Sequence, residues 1–271
     1  MFTIVIPSFN AAKTLPRAFD SILSQTSPPT ALILIDDASN DETTKVVFSY
    51  IRAFNALGVV FLYERNDINK GPSFSRNLGI EFAPTRWVLF LDSDDYYHPL
   101  KLEFFSKYIA SMNLLAPAII ADNYLIADNS YFKFPHFIFL HCRVSLFSML
   151  CSNQISTPCV AFNKDLPFRF NPLRRFSEDY ELWLKIILAG YDVYKIPFHL
   201  TFISKHAFLS SNGLSSNLIS MSLEELKVLL SLWQKLNVII LPFAILSTAK
   251  SVLRIVRYSL WSFRQKVLFH L

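Results

Sequence analysis

Apolar positions in this 271-residue chain switch between two spacings. Short apolar runs at Phe2–Ile6, Ala31–Ile35, Val59–Tyr63 and Trp87–Leu91 predict strands. The runs at 2–6 and 87–91 are continuous, which suits strands covered on both faces. Between the runs the spacing becomes helical. Leu15, Ala18, Phe19, Ile22 and Leu23 form one stripe, and Val46, Val47, Tyr50, Ile51 and Phe54 form another. Lys70-Gly71-Pro72-Ser73 leads into a third helix through Gly79, and Ser39-Asn40-Asp41 is predicted to cap the second. This β-α-β-α-β-α-β order predicts a parallel sheet with helices on both faces.

Beyond residue 100 the pattern is less regular. Leu100–Ser111 and Ser177–Leu188 read as helices, the second with Leu182, Ile186 and Ala189 on one face and Gly190 as its stop. Ala118–Ala121, Tyr131–Phe134, Thr157–Phe162 and Asp192–Ile196 read as strands. Phe137–Leu150 is apolar and aromatic, with no period that decides its state, and residues 206–217, rich in Ser, Asn and Gly, predict a loop. The expected organisation is an α/β domain over 1–217 and a helical, basic extension over 218–271.

Composition narrows the function. Only five Gly are present and none forms a G-x-G-x-x-G or a Walker pattern, which excludes a Rossmann dinucleotide site and a P-loop. Cys142, Cys151 and Cys159 have no metal-ligand spacing and read as reduced thiols. The start, MFTIVIPSFN, has no basic segment of a signal peptide, so a cytoplasmic site is expected. No nucleic-acid partner is expected, and the oligomeric state is left open. Hydrophobic residues make up 52% and mean hydropathy is +0.32, which keeps membrane contact open.

The net charge of +5 is concentrated in residues 221–271, where seven basic residues face Glu224 and Glu225. Lys250, Arg254, Arg257 and Arg264 share one helical face, with Val252, Leu253, Ile255, Val256, Leu260 and Phe263 filling the rest. Asn237–Ala249 before them is apolar but broken by Pro242, and too short to span a bilayer. Such a segment suits an anionic membrane surface, which would place the chain peripherally on the inner face of the plasma membrane. The alternative is a terminal helix packed on the domain with its charges in water.

The chemistry gathers at strand ends. Trp87–Leu91 runs into Asp92-Ser93-Asp94-Asp95. Three carboxylates there need either solvent or a hard cation such as Mn²⁺ or Mg²⁺. In open α/β sheets ligands bind at this edge. Ser8 and Asn10 follow the first strand, and Asp36-Asp37 ends the second. A phosphohydrolase of the haloacid dehalogenase type also ends a strand in D-x-D. That class wants Thr or Val where Tyr96 stands, and its strand comes first rather than fourth.

The segments TIVIPSFNAAKTLPRAFDSILSQT, LILIDDASNDET, KGPSFSRNLGI and WVLFLDSDD, with Ser177–Lys185 beyond them, together resemble the family 2 glycosyltransferases. The resemblance implies the GT-A nucleotide-sugar-binding fold: a mostly parallel central sheet covered by helices on both faces. It implies an inverting, metal-dependent transfer from a nucleotide sugar, expected to be UDP-linked, to an acceptor hydroxyl. A glycan or lipid-linked acceptor in cell-surface polysaccharide or lipopolysaccharide synthesis would follow. Pro7, Ser8, Phe9 and Asn10 match the segment that cradles the base, with Phe9 where the family usually has Tyr. Asp37 would accept the uracil N3–H. Asp94 matches the direct metal ligand, with Asp92 and Asp95 as ligands or their supports, and Ser93 and Arg76 beside the diphosphate. Lys70 is a further candidate there, and His206 a further metal ligand. Asp179 matches the general base, with Ser177 as helix cap. A non-catalytic sugar-binding or scaffold protein of the same fold is the remaining alternative.

Overall fold

The computed structural model describes residues 1–112, 117–126, 142–204, 218–236 and 249. As far as β4 its elements follow the predicted alternation: β1 (Phe2–Ser8), α1 (Leu15–Leu23), β2 (Ala31–Asp36), α2 (Thr43–Ala56), β3 (Val60–Arg65), α3 (Pro72–Phe82) and β4 (Trp87–Phe90). β2 and β4 flank β1, β3 lies outside β2, and all three pairings are parallel. β1, β2 and β4 are buried along their whole length because each face carries its own core. Ile4, Ile6, Leu32, Leu34 and Leu89 meet Leu15, Phe19, Val47 and Phe54 of α1 and α2. Val5, Ile33, Val88 and Phe90 meet Ile80 of α3 on the opposite face.

Gly79 sets how closely α3 approaches. A Cβ there would lie 2.3 Å from Cγ1 of Val5, so only glycine lets the helix rest on β1. The start of α3 is thereby held at the C-terminal edge of the sheet.

After β4 the pattern changes. There follow β5 (Tyr96–Tyr97), α4 (Lys101–Ser111), β6 (Ile119–Ile126), β7 (Cys142–Arg143), α5 (Leu146–Cys151), a 3-10 turn (Thr157–Cys159), β8 (Val160–Asn163), α6 (Glu178–Leu188), β9 (Val193–Ile203) and α7 (Leu218–Leu236). The described sheet has nine strands in the order β3-β2-β1-β4-β8-β6-β9-β5, with β7 on β9. β8 runs antiparallel to both β4 and β6, whereas β9 is parallel to β6. The sheet is therefore parallel across β3, β2, β1 and β4 and mixed beyond β4, within the expected α/β architecture.

β9 outruns the predicted Asp192–Ile196. Its pairing with β6 shifts register between Ala121–Lys195 and Asn123–His199, and this irregularity accommodates Pro197. α7 buries Val228, Leu229 and Leu232 in the core that holds Leu182, Trp183 and Ile186 of α6. Arg174 bridges Glu181 of α6 and Glu224 of α7. The first helix of the predicted extension thus packs on the α/β body. Tyr131–Phe134, the loop 206–217 and the basic segment 250–271 lie outside the described residues.

Lys101 lies in the first turn of α4, with its side chain entirely buried. Its Nζ donates to Asp122 Oδ1 at 3.0 Å, Pro158 O at 2.9 Å and Thr201 Oγ1 at 2.6 Å. It also sits 4.0 Å from the Tyr97 ring centroid. Asp122, equally buried, takes Leu200 N–H and the Thr201 hydroxyl on its other oxygen. The network ties α4, β6, the 3-10 turn and β9 together. Breaking one partner leaves an uncompensated buried charge, so Lys101→Met should cost about 3–5 kcal/mol in urea unfolding. A loss under about 1 kcal/mol would show that the pair is not the tie it appears to be in the fold.

Candidate active site

The loops leaving β1 and β2 are fastened to each other. Asn10, in the left-handed region at φ 51°, donates its N–H to Ser39 Oγ, and its side-chain oxygen accepts Asn40 N–H. Ala11 N–H reaches Thr43 Oγ1, and Ala12 N–H reaches Asp41 Oδ2. Asp41 Oδ1 also accepts Thr43 N–H, so the predicted capping triplet divides its work: Asp41 serves the start of α2, and Ser39 serves the β1 loop. Phe9 projects from this frame with its side of the residue about half exposed (49%), and the Ser8 hydroxyl is buried with no described partner.

The two acids after β2 organise different loops. Asp36 accepts Ser39 N–H and the Tyr63 hydroxyl. Asp37 accepts Asn66 Nδ2–H and Lys70 N–H on Oδ1, and Gly71 N–H on Oδ2. It thereby holds the segment entering α3 against the end of β2. Gly71 has φ 87°, which a side chain would disfavour. Lys70 lies over the Phe74 ring at 4.5 Å from its centroid.

Arg76, in α3, is the hub. Its Nη2 donates to Asp92 Oδ1 at 2.7 Å and its Nη1 to Glu178 Oε1 at 2.9 Å. These two carboxylates keep the buried guanidinium firmly protonated. The diphosphate contact expected of Arg76 is thus met in this structure by protein carboxylates. Asp92 leads into the acidic turn, and Asp94 offers its backbone carbonyl to Arg17 Nη2 and to the Ser204 hydroxyl. Asp95 is buried and accepts Ser204 N–H. Burial, with Asp92 and Asp94 nearby, raises the Asp95 carboxyl to about 8. A cation beside these acids would reverse that shift.

No group of three or more His, Cys, Asp and Glu side chains converges on a metal position among the described residues. Mg²⁺ is commonly bound through one or two carboxylates, with phosphate and water oxygens completing its shell. Asp94 and Asp92, partly open to solvent, could contribute carboxylate oxygens to such a site. His206 lies outside the described residues.

Asp179 stands in the first turn of α6. Asn153 Nδ2 and Thr157 Oγ1 approach its Oδ2 at 3.5 and 3.3 Å. Ser177 occupies the cap position but is left-handed (φ 58°) and makes no side-chain cap bond, contrary to expectation. Burial first, and Glu178 second, raise the Asp179 carboxyl to about 7, against the lowering effects of Tyr180 N–H and Arg76. Asn66, Asn153, Thr157, Arg17 and Ser204 were not anticipated. Asn66 lies just past β3 and Ser204 just past β9, the strand-end position that singled out Asp37; β9 was expected to end at Ile196, so Ser204 carried no such signal in advance.

The Asp179 carboxyl should therefore titrate near neutrality. In ¹³C-carboxyl NMR, the resonance lost in Asp179→Asn should show a midpoint close to 7. Glu178→Gln removes a negative neighbour and should lower that midpoint. A midpoint in the ordinary aspartate range would mean that water reaches the group freely.

Several known proteins share this sequence and architecture. A glycosyltransferase of undefined specificity from Haemophilus influenzae is 29% identical over 216 residues, covering 78% of this chain and 70% of the relative. WfgD of Escherichia coli, a UDP-Glc:alpha-D-GlcNAc-diphosphoundecaprenol beta-1,3-glucosyltransferase, is 29% identical over 223 residues, 80% of each chain. Among solved structures, Staphylococcus aureus TarS 1–349 with UDP-GlcNAc superposes with TM-score 0.64 at 18% identity, covering 84% of this chain and 66% of TarS. The mannosyltransferase PcManGT of Pyrobaculum calidifontis, in complex with GDP-Man and Mn²⁺, gives TM-score 0.64 at 14% identity, covering 98% and 79%. The fold is that of these GT-A enzymes. Residues 3–145, more than half of the chain, match the family described as Glycosyl transferase family 2. The chain belongs to glycosyl transferase family 2 and is a glycosyltransferase.

Proposed function

We propose that this enzyme moves a sugar, with inversion, from a UDP-sugar to an acceptor hydroxyl on a lipid-linked glycan, with Mn²⁺ or Mg²⁺ at the acidic turn. One observation carries the reading. Asp92, on the leaving-group side, and Glu178, next to the candidate base Asp179, are held on the same guanidinium. Pro7, Ser8, Phe9 and Asn10 form the base cradle, where the exposed Phe9 ring offers a stacking face. Asp37 Oδ2 accepts Gly71 N–H and has capacity for a uracil imide. Asp94, assisted by Asp92, Ser93 and Asp95, would hold the cation, which when bound would supply charge stabilisation to a departing diphosphate.

Asp179 accepts the proton of the acceptor hydroxyl as that oxygen attacks the anomeric carbon opposite the diphosphate. A base near 7 suits the task at neutral pH. The extension 218–271 begins with α7 packed on the body, and its basic segment 250–271 is the part that meets the membrane. The phosphohydrolase alternative fails, because the family match excludes it and β4 is the fourth strand in chain order.

WfgD acts on a diphosphoundecaprenol-linked GlcNAc, which supports a lipid-linked acceptor here, and a Bacillus subtilis relative, 27% identical over 195 residues and called a putative teichuronic acid biosynthesis glycosyltransferase, supports a role in cell-surface polysaccharide synthesis. No helix among the described residues is long and apolar enough to cross a membrane. The charge pattern of 250–271 supports peripheral attachment to the inner face of the plasma membrane.

UDP release should be measured with UDP-glucose, UDP-GlcNAc and GDP-mannose, with and without Mn²⁺, against a GlcNAc-diphospholipid acceptor. A UDP-sugar should be used only with the metal present. Asp179→Asn should lower transfer about 10²–10⁴-fold while UDP still binds. Transfer by that variant at the wild-type rate would remove the base assignment. Anionic liposomes should float the full chain and leave behind a chain lacking 237–271; equal partitioning would remove the membrane claim.

A further inference from the structure

Arg76 cannot withdraw from the acidic turn. Its guanidinium lies 5.4 Å from the Phe170 ring centroid, and Phe170 in turn packs edge-on against Phe90 of β4 and Trp183 of α6. The Arg76 side chain is 6% exposed and that of Glu178 14%, whereas Asp92 is 32% exposed. Asp92 is thus the member of the triad that a ligand can reach. Any cation arriving there meets a fixed positive charge already bound to the same carboxylate. Two positive charges sharing one half-buried carboxylate repel strongly unless a second negative charge is close. Glu178 supplies that charge at 2.9 Å, on the other terminal nitrogen of the guanidinium.

We propose that Glu178 is a positioning residue for the cation site: acting through Arg76, it offsets the guanidinium charge and leaves Asp92 available to a divalent cation. This rests on the reading of Asp92–Asp95 as the cation site. It gives a role to a carboxylate whose other consequence is its effect on Asp179. It also explains why a buried arginine can be tolerated beside an acidic turn built to receive a metal. Partners that orient a metal's ligands commonly matter about 10–100-fold for affinity when removed.

The test is calorimetry of UDP binding with and without Mn²⁺, using wild type, Glu178→Gln, Glu178→Asp and the double variant Arg76→Gln/Glu178→Gln. Glu178→Gln should weaken the Mn²⁺-dependent affinity about tenfold or more and leave metal-free UDP binding unchanged, measured at a temperature where every variant is folded, because loss of the buried Arg76–Glu178 pair lowers the thermal midpoint. Glu178→Asp keeps the charge and should bind as wild type does. The double variant removes both charges and should recover most of the loss, a non-additivity that simple misfolding would not produce. Wild-type Mn²⁺ dependence in Glu178→Gln, or equal loss with and without metal, would overturn the proposal. So would equal defects in the Gln and Asp variants. Asp94→Asn separates the two readings. If Mn²⁺ does not affect UDP binding even in wild type, the cation site is misread and this inference falls with it. If Asp94→Asn alone abolishes the Mn²⁺ effect, only the role of Glu178 is lost.

Discussion

Negative charge crowds the C-terminal edge of this sheet, and its compensation shapes everything around it. β2 and β4 both end in carboxylates beside β1. Buried acids are costly unless hydrogen-bonded or paired. Each acid here is settled in a different way. Asp36 and Asp37 draw in backbone N–H groups and so fold the loops that follow β2 and β3. Asp92 takes a guanidinium. Asp95, buried among its neighbours, retains its proton to about pH 8. The loops that frame the site are therefore consequences of where the acids must be satisfied.

The same economy joins the two sides of the reaction. α3 rests on β1 because position 79 has no side chain, and this sets the depth of Arg76. From there one residue touches both the acidic turn and the start of α6. Asp179 illustrates two competing effects. A helix N-terminus favours the charged carboxylate. Burial and the neighbouring Glu178 disfavour it and prevail, giving a group near 7 instead of a weak base. Without a side-chain bond from Ser177, nothing at the cap position strengthens the first effect.

The elements that could be read in advance are those whose burial shows in local spacing. The first four strands and three helices are of this kind, because continuous apolar runs and helical stripes record coverage directly. β5 has two residues and no such record; it exists because Tyr96 and Tyr97 pair with Phe202 and Thr201, more than a hundred positions away. The strand expected over Asp192–Ile196 continues as β9 past Pro197, and only the shifted register on β6 shows how. α5 lay in an apolar stretch where a short helix and a strand look alike. The burial of Lys101 depends on Asp122, Thr201 and a carbonyl from three other segments, which no local spacing records.

By itself the sequence determined the α/β alternation, the acidic turn after β4, the acids after β2, the candidate base and the family to which they belong. These are local features: residue type, spacing and strand-end position. Only the tertiary structure decided which charges meet. It set Arg76 between two protein carboxylates, brought Glu178 into the site, and placed Asn153 and Thr157 against Asp179. The reason is that electrostatic energy depends on distance and burial in three dimensions, and residues 76, 92 and 178 share no local pattern from which either can be read.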